Sequence, residues 1–91
     1  MISNIDDFRK KLLFRSNHRG TKEMDLALGG FFKENQHLLN EQELLEFQRI
    51  LELTDKEIGD WLIMNKFNNE IQNIGVSKKI KEFVSSGKIS K

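Results

Sequence analysis

The chain reads as an all-α single domain, a bundle of about five helices with short, antiparallel connections. Three observations predict this. Apolar residues recur three and four positions apart along most of the 91 residues, no stretch alternates apolar and polar side chains as a strand does, and proline is absent. At this length one domain with one modest core is expected, with an ordered part over about residues 4–85 and a frayed end.

The elements follow in order. Ser3-x-x-Asp6 resembles a weak capping box and starts a first helix that buries Ile5, Phe8, Leu12 and Leu13. Ser16-Asn17-His18-Arg19-Gly20 is poor helix interior and good turn material, so that helix stops near Arg15. A second helix begins at Gly20 or Thr21 and carries Met24, Ala27 and Leu28 inward. Gly29-Gly30 costs about 1 kcal/mol per glycine relative to alanine, which predicts a kink or break before Phe31 and Phe32 resume the apolar pattern.

Asn40 with Glu43 forms the clearest start signal, followed by Leu44, Phe47, Ile50 and Leu51 at helical spacing. Thr54 with Glu57 repeats the signal and opens a helix whose inner stripe is Ile58, Trp61 and Leu62. Trp61 on that stripe is read as core. Phe67 and Ile71 are expected to be buried. Gly75-Val76-Ser77 is a division point, with Ser77 capping a last segment that carries Ile80, Phe83 and Val84 and ends at Ser85-Ser86-Gly87.

Composition removes several classes of function. There is no cysteine, so disulfides, thiolate catalysis and cysteine-based zinc sites are excluded. No apolar run approaches the ~20 residues needed to cross a bilayer. Asp6 and Asp7 among Arg9, Lys10 and Lys11 do not make a signal or transit segment, and a bacterial cytoplasmic location is expected. His18 and His37 lie nineteen residues apart with no helical pairing, which disfavours a metal site. Gly29-Gly30 follows a helix, so it is no dinucleotide loop, and the acidic pairs Glu41/Glu43 and Glu57/Asp60 suit helix first turns and a solvated face. No catalytic, metal-binding or cofactor-binding residue is assigned.

Net charge is +1 but segregated. Residues 1–22 carry +4, residues 41–65 carry −5, and residues 66–91 carry +4. An acidic middle between two basic ends predicts intramolecular pairing, with some basic surface left for an acidic partner. A helical nucleic-acid binder using Lys78, Lys79 and Lys81 is one alternative, though Glu82 and the lack of arginine there argue against base reading. A regulatory or toxin–antitoxin-like interaction module is another.

The densest signal is His18-Arg19-Gly20-Thr21-Lys22-Glu23-Met24-Asp25 at a helix entrance. Read locally, Glu23 favours the helix dipole and Arg19 pairs with it, an exposed contact worth under about 1 kcal/mol. Read functionally, Arg19 and Glu23 flank a glycine that lets another backbone come close. With the aromatic pair Phe31-Phe32, this stretch resembles the Arg-Arg-Gly-Met-x-Glu-x-Asp…Pro-Phe opening of the SdhE family, the succinate dehydrogenase assembly or flavinylation factors. Leu53-Thr54-Asp55-x-x-Ile58-x-x-Trp61-Leu62 is similar to that family's second block, and the two together cover residues 8–64. His18, Thr21 and Gly29-Gly30 depart from the family pattern.

The resemblance implies a small helical protein that is not an enzyme. It would bind the flavoprotein subunit of succinate dehydrogenase, and that of fumarate reductase in bacteria, and promote covalent attachment of FAD to a histidine of that subunit. FAD would belong to the partner, and this chain would hold no stable cofactor, enter no membrane and bind no nucleic acid. By the same resemblance Arg19, Gly20 and Glu23, with Asp25 as a neighbour, are the implied partner-binding residues. Arg19 is expected to reach a partner carboxylate or main-chain oxygens. A side chain added at Gly20 is expected to harm binding more than folding, as long as the backbone there is not left-handed.

Overall fold

The computed structural model describes residues 3–86. Among them are six helices and no strand: α1 (Ile5–Ser16), α2 (Lys22–Asn35), α3 (Glu41–Leu51), α4 (Asp55–Leu62), α5 (Asn69–Gln72) and α6 (Val76–Ser85). The all-α class stands. The sixth helix is the single turn α5, which forms because the Asn68 side chain accepts from the Ile71 amide at 3.0 Å. Gly87, the end of the expected stop signal, and the last four residues, where fraying is expected, lie outside the described residues.

Local chemistry accounts for most helix starts. Both predicted capping boxes are present: Asn40 with Glu43 opens α3, and Thr54 with Glu57 opens α4. The cap of α1 is Asn4 rather than Ser3, with its Oδ1 accepting from the Asp7 amide at 3.1 Å. An Asx carboxamide is a strong acceptor at this position, and the register moves by one residue. Ser77 does not cap α6. It is buried, and the carboxylate of Glu46, reaching from α3, accepts from the Val76 amide at 3.0 Å. A side chain distant in sequence thus replaces the local cap, at an electropositive helix end.

The core collects α2, α3 and α6. Phe32 stacks on Phe47 with centroids 4.7 Å apart, while Phe31 meets Phe47 and the edge of Phe83 at 5.9 Å. Leu12 of α1, Leu44 and Ile50 of α3, Ile58 and Trp61 of α4, and Ile80 of α6 close around them. Ile5, Phe8 and Leu13 pack against this cluster half-buried. Phe67 corrects the expectation of burial, being 75% exposed. It falls in the irregular segment between α4 and α5, which has no helical face to turn inward.

Gly29-Gly30 does not break α2, which runs unbroken through both. The glycines serve packing instead. A Cβ at Gly29 would overlap the Asn17 carboxamide at the end of α1, and one at Gly30 would touch the Phe83 ring of α6. Close approach of neighbours on both sides offsets the poor helix propensity.

The charge segregation is used internally. Arg19 from the basic start pairs with Asp55 at 3.0 Å, and Lys79 from the basic end pairs with Glu43. Lys81 lies 5.3 Å from the Trp61 ring centre and donates to the Trp61 carbonyl and the Asn65 side chain, both at 2.7 Å. Burial pushes its ammonium pKa down. Two of the three lysines that favoured a nucleic-acid reading are therefore tied to the bundle.

The Glu43 carboxyl is held below its ordinary value, chiefly by the hydrogen bond from Lys79, against desolvation that raises it. A lowered folded pKa gives stability that is full above the unfolded value and lost as pH falls through the folded one. The melting temperature is therefore expected to drop as pH falls below ~4.3. In Lys79→Gln that acid limb should be shallower, which thermal unfolding between neutral and acid pH checks.

Candidate functional site

The turn between α1 and α2 is built from opposed requirements. Helix α1 must stop, and α2 must begin after only five intervening residues, with its donors satisfied. Asn17 ends α1, its side chain donating to the Leu13 carbonyl at 2.8 Å. Thr21 opens α2, its Oγ1 accepting from the Met24 amide at 3.3 Å. Between them Gly20 adopts φ +111°, a conformation that other residues reach only with strain. The Arg19 amide donates to Asp25 Oδ1 at 2.7 Å, so the first turn of α2 reaches back and closes the loop.

The Arg19 side chain leaves this turn and crosses to the one between α3 and α4. Its Nη1 donates to the Leu51 carbonyl, and its Nη2 donates to the Leu53 carbonyl at 2.7 Å and to Asp55 Oδ1 at 3.0 Å. Leu51 ends α3, so its carbonyl is one of the acceptors a helix C-terminus leaves open. Hydrogen bonds from a charged donor are worth about 1.5–3 kcal/mol each. The Arg19 side chain is 13% exposed. Its Nε is buried and has no hydrogen-bond partner.

Of the four sequence-predicted site residues, Arg19 and Gly20 lie in the turn, and Glu23 and Asp25 in the first turn of α2, with Asp25 joined to the turn through the Arg19 amide. They do not form one outward patch. Glu23 and Gly20 are exposed, Asp25 is half-buried under the Arg19 amide, and the Arg19 guanidinium is turned inward. Arg19 pairs with Asp55 and not with Glu23, because the break at Gly20 leaves it outside the helix that carries Glu23.

Beside Glu23 lies a groove of about 470 Å³ between the start of α2 and α4. Thr21, Glu23 and Met24 line one wall, and Asp55, Gly59, Ile63 and Met64 the other. Its apolar lining is Met24, which is buried, with Ile63 and Met64, which are exposed. Lys56 donates to Asp60 at 3.0 Å on the rim and holds that carboxyl below its ordinary value. On the other side of Arg19, the exposed rings of Phe14 and His18 stack with centroids 4.0 Å apart, and His18 Nδ1 sits 2.7 Å from the Phe14 carbonyl. His18 is thus an exposed residue engaged by α1. Among the described residues no cluster of three or more His, Asp or Glu has the geometry to hold a metal, and no helix is long and apolar enough to cross a membrane.

Sequence reasoning missed the groove and the role of Asp55. A signal for Asp55 existed: it lies in the second motif block, which is physically joined to the first through Arg19. The groove had no such signal, since Gly59, Ile63 and Met64 come to line one hollow with Met24 only in the folded chain.

The chain is thus a small helical bundle that presents an exposed edge beside an open groove. The description "flavinator of succinate dehydrogenase" matches residues 10–84, and the chain belongs to that family. The match reaches the last helix, beyond the two motif blocks. The FAD assembly factor SdhE of Acetobacter pasteurianus is 44% identical over 59 residues, covering 65% of this chain and 54% of that protein. The mitochondrial succinate dehydrogenase assembly factor 2 of Dictyostelium discoideum is 42% identical over 62 residues, covering 68% of this chain and 44% of its own. The Caenorhabditis elegans protein of that name is 28% identical over 93 residues, covering 96% and 76%. The chain spans about half the length of the first two relatives.

The backbone at Gly20 changes what a substitution there does. A Cβ would meet Asp55 Oδ2 only at 3.8 Å, an ordinary contact, so space is not the obstacle. The positive φ is. Gly20→Ala is expected to lower folding stability by about 1–3 kcal/mol before any partner is involved. Urea unfolding of the isolated protein checks this.

Proposed function

We propose that this protein is a non-catalytic assembly factor that binds the flavoprotein subunit of succinate dehydrogenase and promotes its covalent flavinylation. Family membership supports the class. The observation that carries the reading is the placement of Gly20 and Glu23 on an open edge beside an apolar groove, a surface suited to another folded protein. FAD belongs to the partner in this reading, the protein acts in the bacterial cytoplasm, and the flavoprotein of fumarate reductase is a second client.

The mechanism is a shift of population. If flavin attachment is chiefly the flavoprotein's own chemistry, a helper accelerates it by binding more tightly to the arrangement in which the acceptor histidine faces the flavin ring. The shift equals its differential affinity for that arrangement. Glu23 supplies a carboxylate for a basic group on the partner, Gly20 lets the partner's backbone approach, and the apolar lining of Met24, Ile63 and Met64 takes an apolar side chain. Losing one such charged contact corresponds to roughly 1–3 kcal/mol, or about 5- to 150-fold in affinity.

Gly59 provides a test free of folding effects. It lies inside α4 on the groove wall, with nothing within 4 Å of where a Cβ would sit. A lysine there raises helix propensity by up to ~1 kcal/mol and projects into the groove. Apo-flavoprotein, FAD and this protein are mixed, and protein-linked flavin fluorescence is read after denaturation. The wild-type chain is expected to accelerate attachment. Gly59→Lys and Glu23→Ala should fold as well as the parent yet lose at least about ten-fold in apparent affinity. No acceleration by the wild-type chain, or full activity in both variants, contradicts the reading.

A further inference from the structure

We propose that Arg19, the residue that the resemblance assigns to partner contact, is a positioning residue that acts on the interface from behind it. This rests on the reading of Gly20, Glu23 and the groove as the partner-facing surface.

The guanidinium is already committed. Both of its Nη atoms donate inward, to two main-chain carbonyls and one carboxylate, and the Nε is sealed from solvent. A bidentate grip on an outside carboxylate needs a free pair of parallel donors, and with both Nη2 protons in use Arg19 can offer one only by releasing Asp55, Leu51 or Leu53. Releasing any of the three loosens the tie between the turn entering α2 and the α3–α4 turn. What the side chain does in place is fix a spacing. The two segments it joins, the turn entering α2 and the turn entering α4, carry the two walls of the groove: Thr21 and Met24 on one side, Asp55 and Gly59 on the other. Arg19 thereby sets the distance between the Glu23 edge and the α4 wall without touching what binds there. Lysine keeps the charge, but its single nitrogen cannot span two carbonyls and a carboxylate in a planar fork.

Side-chain NMR of the full chain, free and bound to the flavoprotein subunit of succinate dehydrogenase, tests this. In the free protein the Arg19 Nε proton is expected to exchange with water at least ten-fold more slowly than that of the exposed Arg49. On complex formation the Met24, Ile63 and Met64 methyl signals and the Glu23 amide should move, while the Arg19 Nε signal stays in place. Arg19→Lys, verified as fully folded by its melting curve, should bind about ten-fold more weakly and already show displaced Met24 and Ile63 methyls when free. If Arg19→Lys is too unstable for this, the wild-type Nε signal decides by itself. An Nε signal that moves as far as the Glu23 amide overturns the proposal. So does a folded Arg19→Lys that keeps its free-state methyl positions or binds like the parent. If no signal anywhere moves at saturating flavoprotein, the proposed function itself fails, and this inference with it.

Discussion

One side chain joins the two turns on which the site depends. Arg19 leaves the α1–α2 turn and ends on the last carbonyl of α3, the carbonyl of Leu53 and the first carboxylate of α4. Without it, the Leu51 carbonyl that closes α3 would need water, and the turn holding Gly20 would keep only bonds within α1, α2 and the turn itself, such as the Arg19 amide on Asp25. The ion pair itself contributes little, because Asp55 is half exposed and solvent screens it. The carbonyl contacts matter more, since they satisfy main-chain acceptors that have no helical partner. The cost is a buried Nε left unpaired. A bundle tolerates such a group where a specific geometry depends on the rest of the side chain.

The same bridge explains why two blocks of sequence, separated by some thirty residues, belong together. Arg19 and Asp55 lie in different blocks, and their meeting brings the glycine-bearing edge against the start of α4. Glu23 is left facing solvent. In the proposed function the edge, the groove and the inward arginine form one unit, in which the outer residues would meet a partner and the inner one would keep them in register. That arrangement suits a protein whose task is to stabilise one conformation of another, because a rigid surface discriminates between conformations better than a yielding one.

Much of the fold was legible because it is decided locally. Asn40, Glu43, Thr54 and Glu57 announce α3 and α4 by spacing alone, and the inner stripes of α2, α3 and α4 follow from the helical period. Two of the misreadings share one cause, a distant group overriding a local preference. Gly29-Gly30 stays helical because Asn17 and Phe83 approach it. The start of α6 is capped by Glu46, thirty residues away in sequence. Phe67 is exposed because the segment carrying it has no regular face. At the site, the motif marked the turn between α1 and α2, but the inward course of Arg19 and the positive φ of Gly20 depend on tertiary packing and on main-chain geometry that no residue pattern encodes.

Where the flavoprotein subunit sits on this surface is best tested by hydrogen–deuterium exchange on the assembled complex. Protection is expected to rise over residues 20–26 and 56–64 together, the two walls of one groove. It should stay unchanged around Leu38 and Phe83, which line a separate hollow of about 440 Å³. Protection confined to that second hollow, with the Gly20–Glu23 edge exchanging as freely as in the isolated protein, would contradict the placement of the interface at this edge.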